Sequence, residues 1–377
     1  MNAPLNRILK PIKWGRFKLV DVFDVKNTNS ILSSDIVEYK GTVPYLCASS
    51  DNNAVNSYVK YDENYLEKGN CLFIGGKTFV VSYQAQDFFS NDSHNLTLYL
   101  KKGKKNKAVY LGLAACVYKS LFSKYSWGDS ISKTKIKKDV INLPITSTGE
   151  IDFDYLEATI AELEYERLAK LNFYLVENKL KNCELSQEEV YSMNCFENHD
   201  WKEIRIGDLF DRIITRKLPY KAEDLPTSMM NGFTLPCLTS SFKNQGLNYY
   251  APKEGATVLR NVISIPSNSD VYRAYYQSSD FTVLSDAYAI RWKYEDRILL
   301  DLQYLFMVTC INKVTDLAIY SYKNKLGGWN VVKDKLIKVP IKDGKLDYEF
   351  MGLIISAIRK LLFKDVVAYV NKELLKD

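Results

Sequence analysis

Gly75-Gly76-Lys77-Thr78 is the stretch whose residue types come nearest to nucleotide chemistry. A phosphate-binding P-loop needs a further glycine upstream of its Gly-Lys pair, so that successive backbone amides wrap the phosphates. Here that position falls near Cys71 and Leu72, and the pattern fails. The stretch reads instead as a turn carrying a surface lysine. His94, in Asn91-Asp92-Ser93-His94-Asn95, has the residue type for proton transfer, and His199 is the other histidine. The matching residue of a second, similar half of the chain is Ala287, so the two halves do not share a histidine there. His94 is expected to read a base or satisfy the backbone. Seven cysteines (Cys47, Cys71, Cys116, Cys183, Cys195, Cys237 and Cys310) are scattered without a CxxC pair. That spacing argues against structural zinc and suits reduced thiols in a cytoplasm. No glycine-rich loop for a dinucleotide or S-adenosylmethionine follows a strand, and neither a GxSxG elbow nor an Asn-Pro-Pro-aromatic tetrapeptide occurs. The expectation is a chain with no catalytic residues, no metal and no bound cofactor.

What remains is binding chemistry. Net charge is +6, and residues 101–138 hold eleven lysines against one acid, Asp129. The remainder of the chain is therefore net acidic. A concentrated basic segment is the electrostatic footprint of phosphate contact, although charge runs are also often solvated faces. Aromatic residues make up 13%, with 27 tyrosines, whose flat faces and hydroxyls suit binding surfaces as well as cores. No apolar run approaches the roughly 18 residues of a membrane span. No signal-peptide-like run opens the chain.

The elements that must carry this chemistry occur twice. Trp14, Asp21, Phe23 and Asp24 stand as Trp201, Asp208, Phe210 and Asp211 do. Residues 43–50, with Pro44, match 235–242, with Pro236, and Asn52, Val55, Asn56 and Tyr58 then match Asn244, Leu247, Asn248 and Tyr250. Residues 86–88 match 279–281, and 136–145, with Pro144, match 332–341, with Pro340. The offset drifts only from 187 to 196. Within each repeat, short β-rich runs such as 71–74 and 96–100 are broken by turn residues, and a helix is predicted over 109–122 and over 299–314. Gly75 to Thr78 stand opposite Ile265-Pro-Ser-Asn268, so the loops differ between repeats.

Each repeat ends in a long helix, predicted over 153–181 and 348–376 with Asp152 and Asp347 as N-caps. Apolar stripes at Leu156, Ile160, Leu163 and Leu171, and at Met351, Ile355, Ile358 and Leu362, suit two helices packed along one seam. A helix of about 28 residues spans about 42 Å, more than one turn of B-DNA at about 34 Å. Ser186 and Glu189 form a capping-box pattern that places a short helix in the polar linker. The expected fold class is α+β: two mixed α/β domains in tandem, each followed by a long helix. The domains are residues 1–150, a first spacer helix 151–182, a linker 183–200, a second domain 201–345, and a second spacer helix 346–377.

These blocks, in the same order twice, resemble the specificity (S) subunits of type I restriction-modification systems and the related type IIB systems, HsdS-like proteins. The resemblance runs from about Trp14 to the end. It implies that the mixed segments are target-recognition domains, that the two long helices pack as an antiparallel coiled-coil spacer, and that the chain is a non-catalytic DNA-binding subunit reading a split, asymmetric double-stranded DNA target. It also implies two methyltransferase (M) subunits carrying S-adenosylmethionine, and restriction (R) subunits using ATP and Mg in type I systems. Base reading needs hydrogen-bonding side chains on loops and cations for phosphates. In the first repeat Ser49, Ser50, Asn52, Asn53, Lys77, Gln84, His94, Lys133, Lys135 and Lys137 fit that description. In the second, Ser240, Ser241, Lys243, Asn244, Asn268, Arg273 and Lys325 do. The alternative is a stand-alone DNA-binding or DNA-modifying protein of another defence system.

Overall fold

A computed structural model describes residues 12–125 and 128–375. The chain forms two compact units, Met1–Leu171 and Asn172–Asp377. In chain order the first holds β1 (Lys13–Lys18), α1 (Leu19–Val22), β2 (Phe23–Asn27), β3 (Val43–Leu46), β4 (Val55–Val59), β5 (Cys71–Ile74), β6 (Val81–Gln84), β7 (Phe89–Ser90), β8 (Leu96–Leu100), α2 (Lys107–Leu121), α3 (Lys133–Ile136), β9 (Val140–Ile145) and most of α4 (Phe153–Glu177). After α4 come α5 (Gln187–Asn194), β10 (Trp201–Arg205), α6 (Ile206–Leu209), β11 (Phe210–Arg212), β12 (Leu235–Leu238), β13 (Leu247–Ala251), β14 (Val262–Pro266), β15 (Tyr275–Gln277), β16 (Thr282–Val283), β17 (Ala287–Trp292), α7 (Asp301–Thr315), α8 (Trp329–Val332), β18 (Leu336–Lys342), β19 (Lys345–Leu346) and α9 (Tyr348–Leu374).

The fold is built twice. The sheet β2-β8-β5-β6 corresponds to β11-β17-β14-β15, and β4-β3-β7 to β13-β12-β16, with β3–β7 and β12–β16 parallel. Even the irregularities coincide: the ladder shifts between Tyr45 and Leu46 in one repeat and between Cys237 and Leu238 in the other. The opening and closing motifs of each repeat pair with each other. Trp14 lies opposite Pro144 across β1–β9, and Trp201 opposite Pro340 across β10–β18. The N–H of Asp152 then donates to Pro144 O at 2.9 Å, and that of Asp347 to Pro340 O at 2.9 Å. Each aspartate also caps its helix, accepting from Tyr155 N and from Phe350 N at 2.9 Å.

The helices differ from the sequence expectation in one informative way. α4 stops at Glu177 and not at residue 181. Lys179 is left-handed at φ 55. Leu180 N donates to Leu175 O at 2.7 Å and Lys179 N to Val176 O at 3.0 Å, a Schellman closure. Glycine usually marks that position; a lysine there leaves no stop signal in the sequence. The expected short linker helix is α5, with both halves of its Ser186–Glu189 capping box formed. It lies along α9, where the buried Glu189 accepts from Ser356 Oγ at 2.6 Å and from Lys360 Nζ at 2.8 Å.

The apolar stripes also sort themselves. Leu156 and Met351 are buried in the cores of their own repeats, a correction to their assignment to a seam. Leu156 lies where a Cβ on Gly112 of α2 would come within 3.0 Å of its side chain, so the glycine lets the two helices close up. Ile160, Leu163, Leu171 and Ile355 are half-buried, whereas Ile358 and Leu362 are exposed. Leu156→Ala should therefore cost about 2–5 kcal/mol. Leu362→Ala, at a side chain 71% exposed, should stay within about 0.5 kcal/mol. Urea unfolding of the full-length variants checks this, and equal losses would show the two positions to be energetically alike.

Candidate nucleic-acid interface

In the first repeat four loops are tied into one cluster by short-range bonds. The turn from β3 to β4 carries Ser49 to Asn53. Next to it, Ala48 O accepts from Thr78 Oγ1 at 2.9 Å. Gly76 N donates to the buried Asn95 Oδ1 at 2.9 Å, and Gly76 O accepts from Ile131 N at 3.2 Å. A Cβ on Gly76 would sit 2.4 Å from His94 O, and one on Gly75 2.7 Å from Ala48 Cβ. The glycine pair thus serves close loop-to-loop contact, and Lys77 is its exposed lysine, as the sequence suggested.

Asp92 holds the outward groups of this cluster. Lys77 Nζ lies 3.0 Å from Asp92 Oδ2, and His94 Nδ1 lies 2.8 Å from Asp92 Oδ1. Partial burial of Asp92 would raise its pKa, but the His94 amide, the His94 ring and Lys77 together outweigh that and bring it down to about 2. The carboxylate is therefore charged at neutral pH. Its stabilising contribution is present above the ordinary value of about 3.9 and is lost as pH falls toward 2. Lys77 and His94 reach solvent from a fixed anchor. The His94 ring thus has this loop aspartate as its partner.

The turn itself follows one design in both repeats. Asn52 and Asn244 share φ 47 and ψ 41. Asn52 Nδ2 donates to Val55 O at 3.0 Å, and Asn244 Nδ2 to Leu247 O at 2.7 Å. Ser49 Oγ and Ser241 Oγ each accept from the amide two residues on, at 3.1 Å. These serines are half-buried and shape the turn, while Ser50, Asn52, Asn53, Lys243 and Asn244 are exposed. Gln84, expected among the base-reading groups, is buried, and its amide is spent on Asn53 O at 2.9 Å and Ser82 Oγ at 2.9 Å. It is corrected to a support beneath the turn. Gln277 makes the matching bonds to Gln245 O and Ser264 Oγ, and sequence reasoning missed it.

In the second repeat the surrounding loops are linked differently. Tyr275 Oη donates to Phe242 O at 3.1 Å, Ser267 N to Asp286 O at 2.8 Å, and Tyr322 N to Asp270 Oδ1 at 2.9 Å. Arg273 is exposed but held by Asp316 at 2.6 Å, and Lys325 Nζ sits 4.7 Å from the Tyr322 ring centre. Ser240 and Asn268 are half-buried, and Asn268 Oδ1 is shut off from solvent without a hydrogen-bond partner. The ladders also adjust the repeat alignment. Phe23 faces Leu100 and Phe210 faces Trp292, so His94 corresponds to Asp286 and not to Ala287. By the same register Lys77 corresponds to Asn268.

The basic segment divides. Lys104 pairs with Asp154 at 2.5 Å and Glu157 at 2.7 Å, and Lys107 with Glu164 at 3.1 Å, so both bind α4. Lys124 pairs with the buried Asp139, Lys135 with Asp129, and Lys101 Nζ donates to Val20 O at 2.6 Å. Lys133 and Lys137 are exposed and have no acid partner among the described residues.

Against this geometry the comparisons with known proteins are direct. Residues 11–172 match the family of the type I restriction modification DNA specificity domain. The chain is 22% identical over 344 residues to the type II restriction enzyme specificity subunit S.BcgI of Heyndrickxia coagulans, covering 90% of this chain and 93% of that one. Its fold is similar to the crystal structure of the S subunit of a type I restriction-modification system from M. genitalium, with TM-score 0.59 and 15% identity over 98% of this chain and 94% of that one. Over nearly its whole length the chain is thus similar to specificity subunits of restriction-modification systems.

Replacing Lys133 and Lys137 with alanine should weaken binding to any duplex and lower the slope of log K against log salt by up to about 0.9 for each phosphate no longer neutralised. Replacing Lys104 and Lys107, already engaged with α4, should leave that slope in place. Anisotropy titrations between about 50 and 200 mM salt decide it, the range over which phosphate neutralisation weighs most. The reverse pattern would place the phosphate face on the α4 side.

Proposed function

We propose that this chain reads a bipartite, asymmetric double-stranded DNA target, one half with each repeat, and has no catalytic centre of its own. The observation that carries the reading is the doubled fold with one turn design and unlike tips: Ser50-Asp51 in one repeat stands where Phe242-Lys243 stands in the other. The same frame presenting different donors, acceptors and charges selects different bases. Methyltransferase subunits, two per chain, would supply S-adenosylmethionine and the reacting site, and restriction subunits would bring ATP and Mg. The chain itself would hold neither cofactor nor metal.

The two matched helices are proposed as the spacer. α4 has 25 residues and α9 has 27, about 38 and 40 Å of helix. Exposed apolar side chains along them, Tyr165 and Phe173 on α4 and Ile358, Leu361 and Leu362 on α9, suit helix pairing and partner docking.

Two experiments test this. Exchanging residues 14–145 for the same segment of a relative should change one half-site and leave the other, as read by sequencing the sites methylated by the assembled complex. A change in both halves would refute one-repeat, one-half-site reading, and turnover by the pure chain would refute the non-catalytic role. Inserting four residues after Lys170 should lengthen the preferred gap by one or two base pairs with both half-sites unchanged, because about one turn adds about 6 Å against about 3.4 Å per base pair. An active insertion variant that keeps the original gap would remove the helices from the role of ruler.

A further inference from the structure

The turns between β3 and β4 and between β12 and β13 hold an unusual backbone. Asn52, Asn53 and Ala54 have φ of 47, 53 and 69, and Asn244, Gln245 and Gly246 have 47, 54 and 84. Three successive left-handed residues are costly for side chains other than glycine, and such a path persists only where the surroundings impose it. Matching backbone bonds close each turn: Cys47 N donates to Ala54 O at 2.9 Å and Thr239 N to Gly246 O at 3.0 Å, and inside them Val55 N donates to Asn52 O and Leu247 N to Asn244 O. Those bonds fix the neck, and none uses the carbonyl of the middle residue, Asn53 or Gln245.

We infer that Gln84 and Gln277 are positioning residues for specificity, each locking the strained turn of its repeat from below. Both are only 5% exposed. Gln84 Nε2 donates to Asn53 O at 2.9 Å, and Gln277 Nε2 to Gln245 O at 3.3 Å, the same carbonyl in each turn. The second amide hydrogen is also used in both, but its acceptor has a different origin. Ser82 comes from the glutamine's own strand, at 2.9 Å, and Ser264 from the strand beside it, at 3.1 Å. The glutamine and its target are thus retained while the anchoring serine has moved. The tips they aim, Ser50-Asp51 and Phe242-Lys243, have no residue type in common. A fixed support beneath a variable tip makes the glutamine set where the tip stands, and the tip residues set what is read.

This inference rests on the loop clusters being the DNA face, and the test separates the two. Gln84→Met keeps the length of the side chain and removes both donors. The full chain, assembled with its methyltransferase partner, is given duplexes randomised over both half-sites, and bound sequences are counted. Wild-type selection of no split target would sink the bipartite reading itself. With that selection in place, Gln84→Met should lower base discrimination at the first half-site on the order of tenfold. The second half-site should stay within about twofold, and the salt slope should be unchanged because the same phosphates remain neutralised. Gln277→Met should give the mirror result. Unchanged discrimination at both half-sites overturns the inference. So does a uniform loss over both, which would mark the glutamines as ordinary core residues.

Discussion

The pairing of each repeat's first strand with its last governs the rest of the structure. Trp14 opposite Pro144 and Trp201 opposite Pro340 bring the chain back to where it entered. The same closure is reinforced one residue beyond each opening strand, where Leu19 N donates to Asp139 O and Ile206 N to Lys335 O, both at 2.9 Å. The exit prolines then accept from the amides of Asp152 and Asp347, so the start of each long helix is fixed to the closing strand. Everything between entry and exit is an excursion from one closed neck. Loops inside such a neck are free to differ without redirecting the helix that follows, which supports the proposed exchange of a whole unit.

Much of this was legible because the repeat supplied its own control. A lone Trp-to-Asp run or a lone apolar-Pro exit says little, but the same blocks in the same order twice point to a doubled fold and to the long helices. The capping aspartates and the Ser186–Glu189 box were readable because their geometry is local. What escaped was long-range or lacked its customary residue. Lys179 ends α4 in a conformation usually left to glycine, so the helix looked longer than it is. Gln84 looked like a loop group because it ends a short strand near polar residues, yet it is buried, and its partner Asn53 lies 31 positions away. Leu156 and Met351 sit at helical spacing on a stripe that reads as one surface, but the first turns of those helices belong to the domain cores.

The basic segment shows how charge counts mislead until partners are known. A lysine facing a carboxylate adds little to the field that a phosphate meets, because the pair is close to neutral beyond a Debye length of about 10 Å. Lys104 and Lys107 bridge the start of α2 to Asp154, Glu157 and Glu164 on α4. They hold the recognition fold to its helix. Lys133, at the start of α3, follows the segment whose Ile131 N bonds the Gly75–Thr78 loop, so the free positive charge stands beside the loop cluster. The lysines of this segment thus divide by partner: the acids on α4, Asp129 and Asp139 take some, while Lys133 and Lys137 face solvent.

The turn beneath the tips carries this division furthest. Holding non-glycine residues left-handed costs about 1–3 kcal/mol each, a cost the fold bears twice. The side chains of Asn52 and Asn244 bond the backbone three residues on, which offsets part of it locally. The buried glutamine adds a second support, because its side-chain amide bonds the carbonyl of the middle residue. Strain of this kind is tolerated where position matters more than stability. In a protein that distinguishes bases through hydrogen bonds of fixed length, a loop free to drift by about an ångström would read several sequences equally well. The strained turn and its glutamine therefore belong to recognition as much as any residue that reaches the DNA, and they explain how two tips with no common chemistry stand on one unchanged frame.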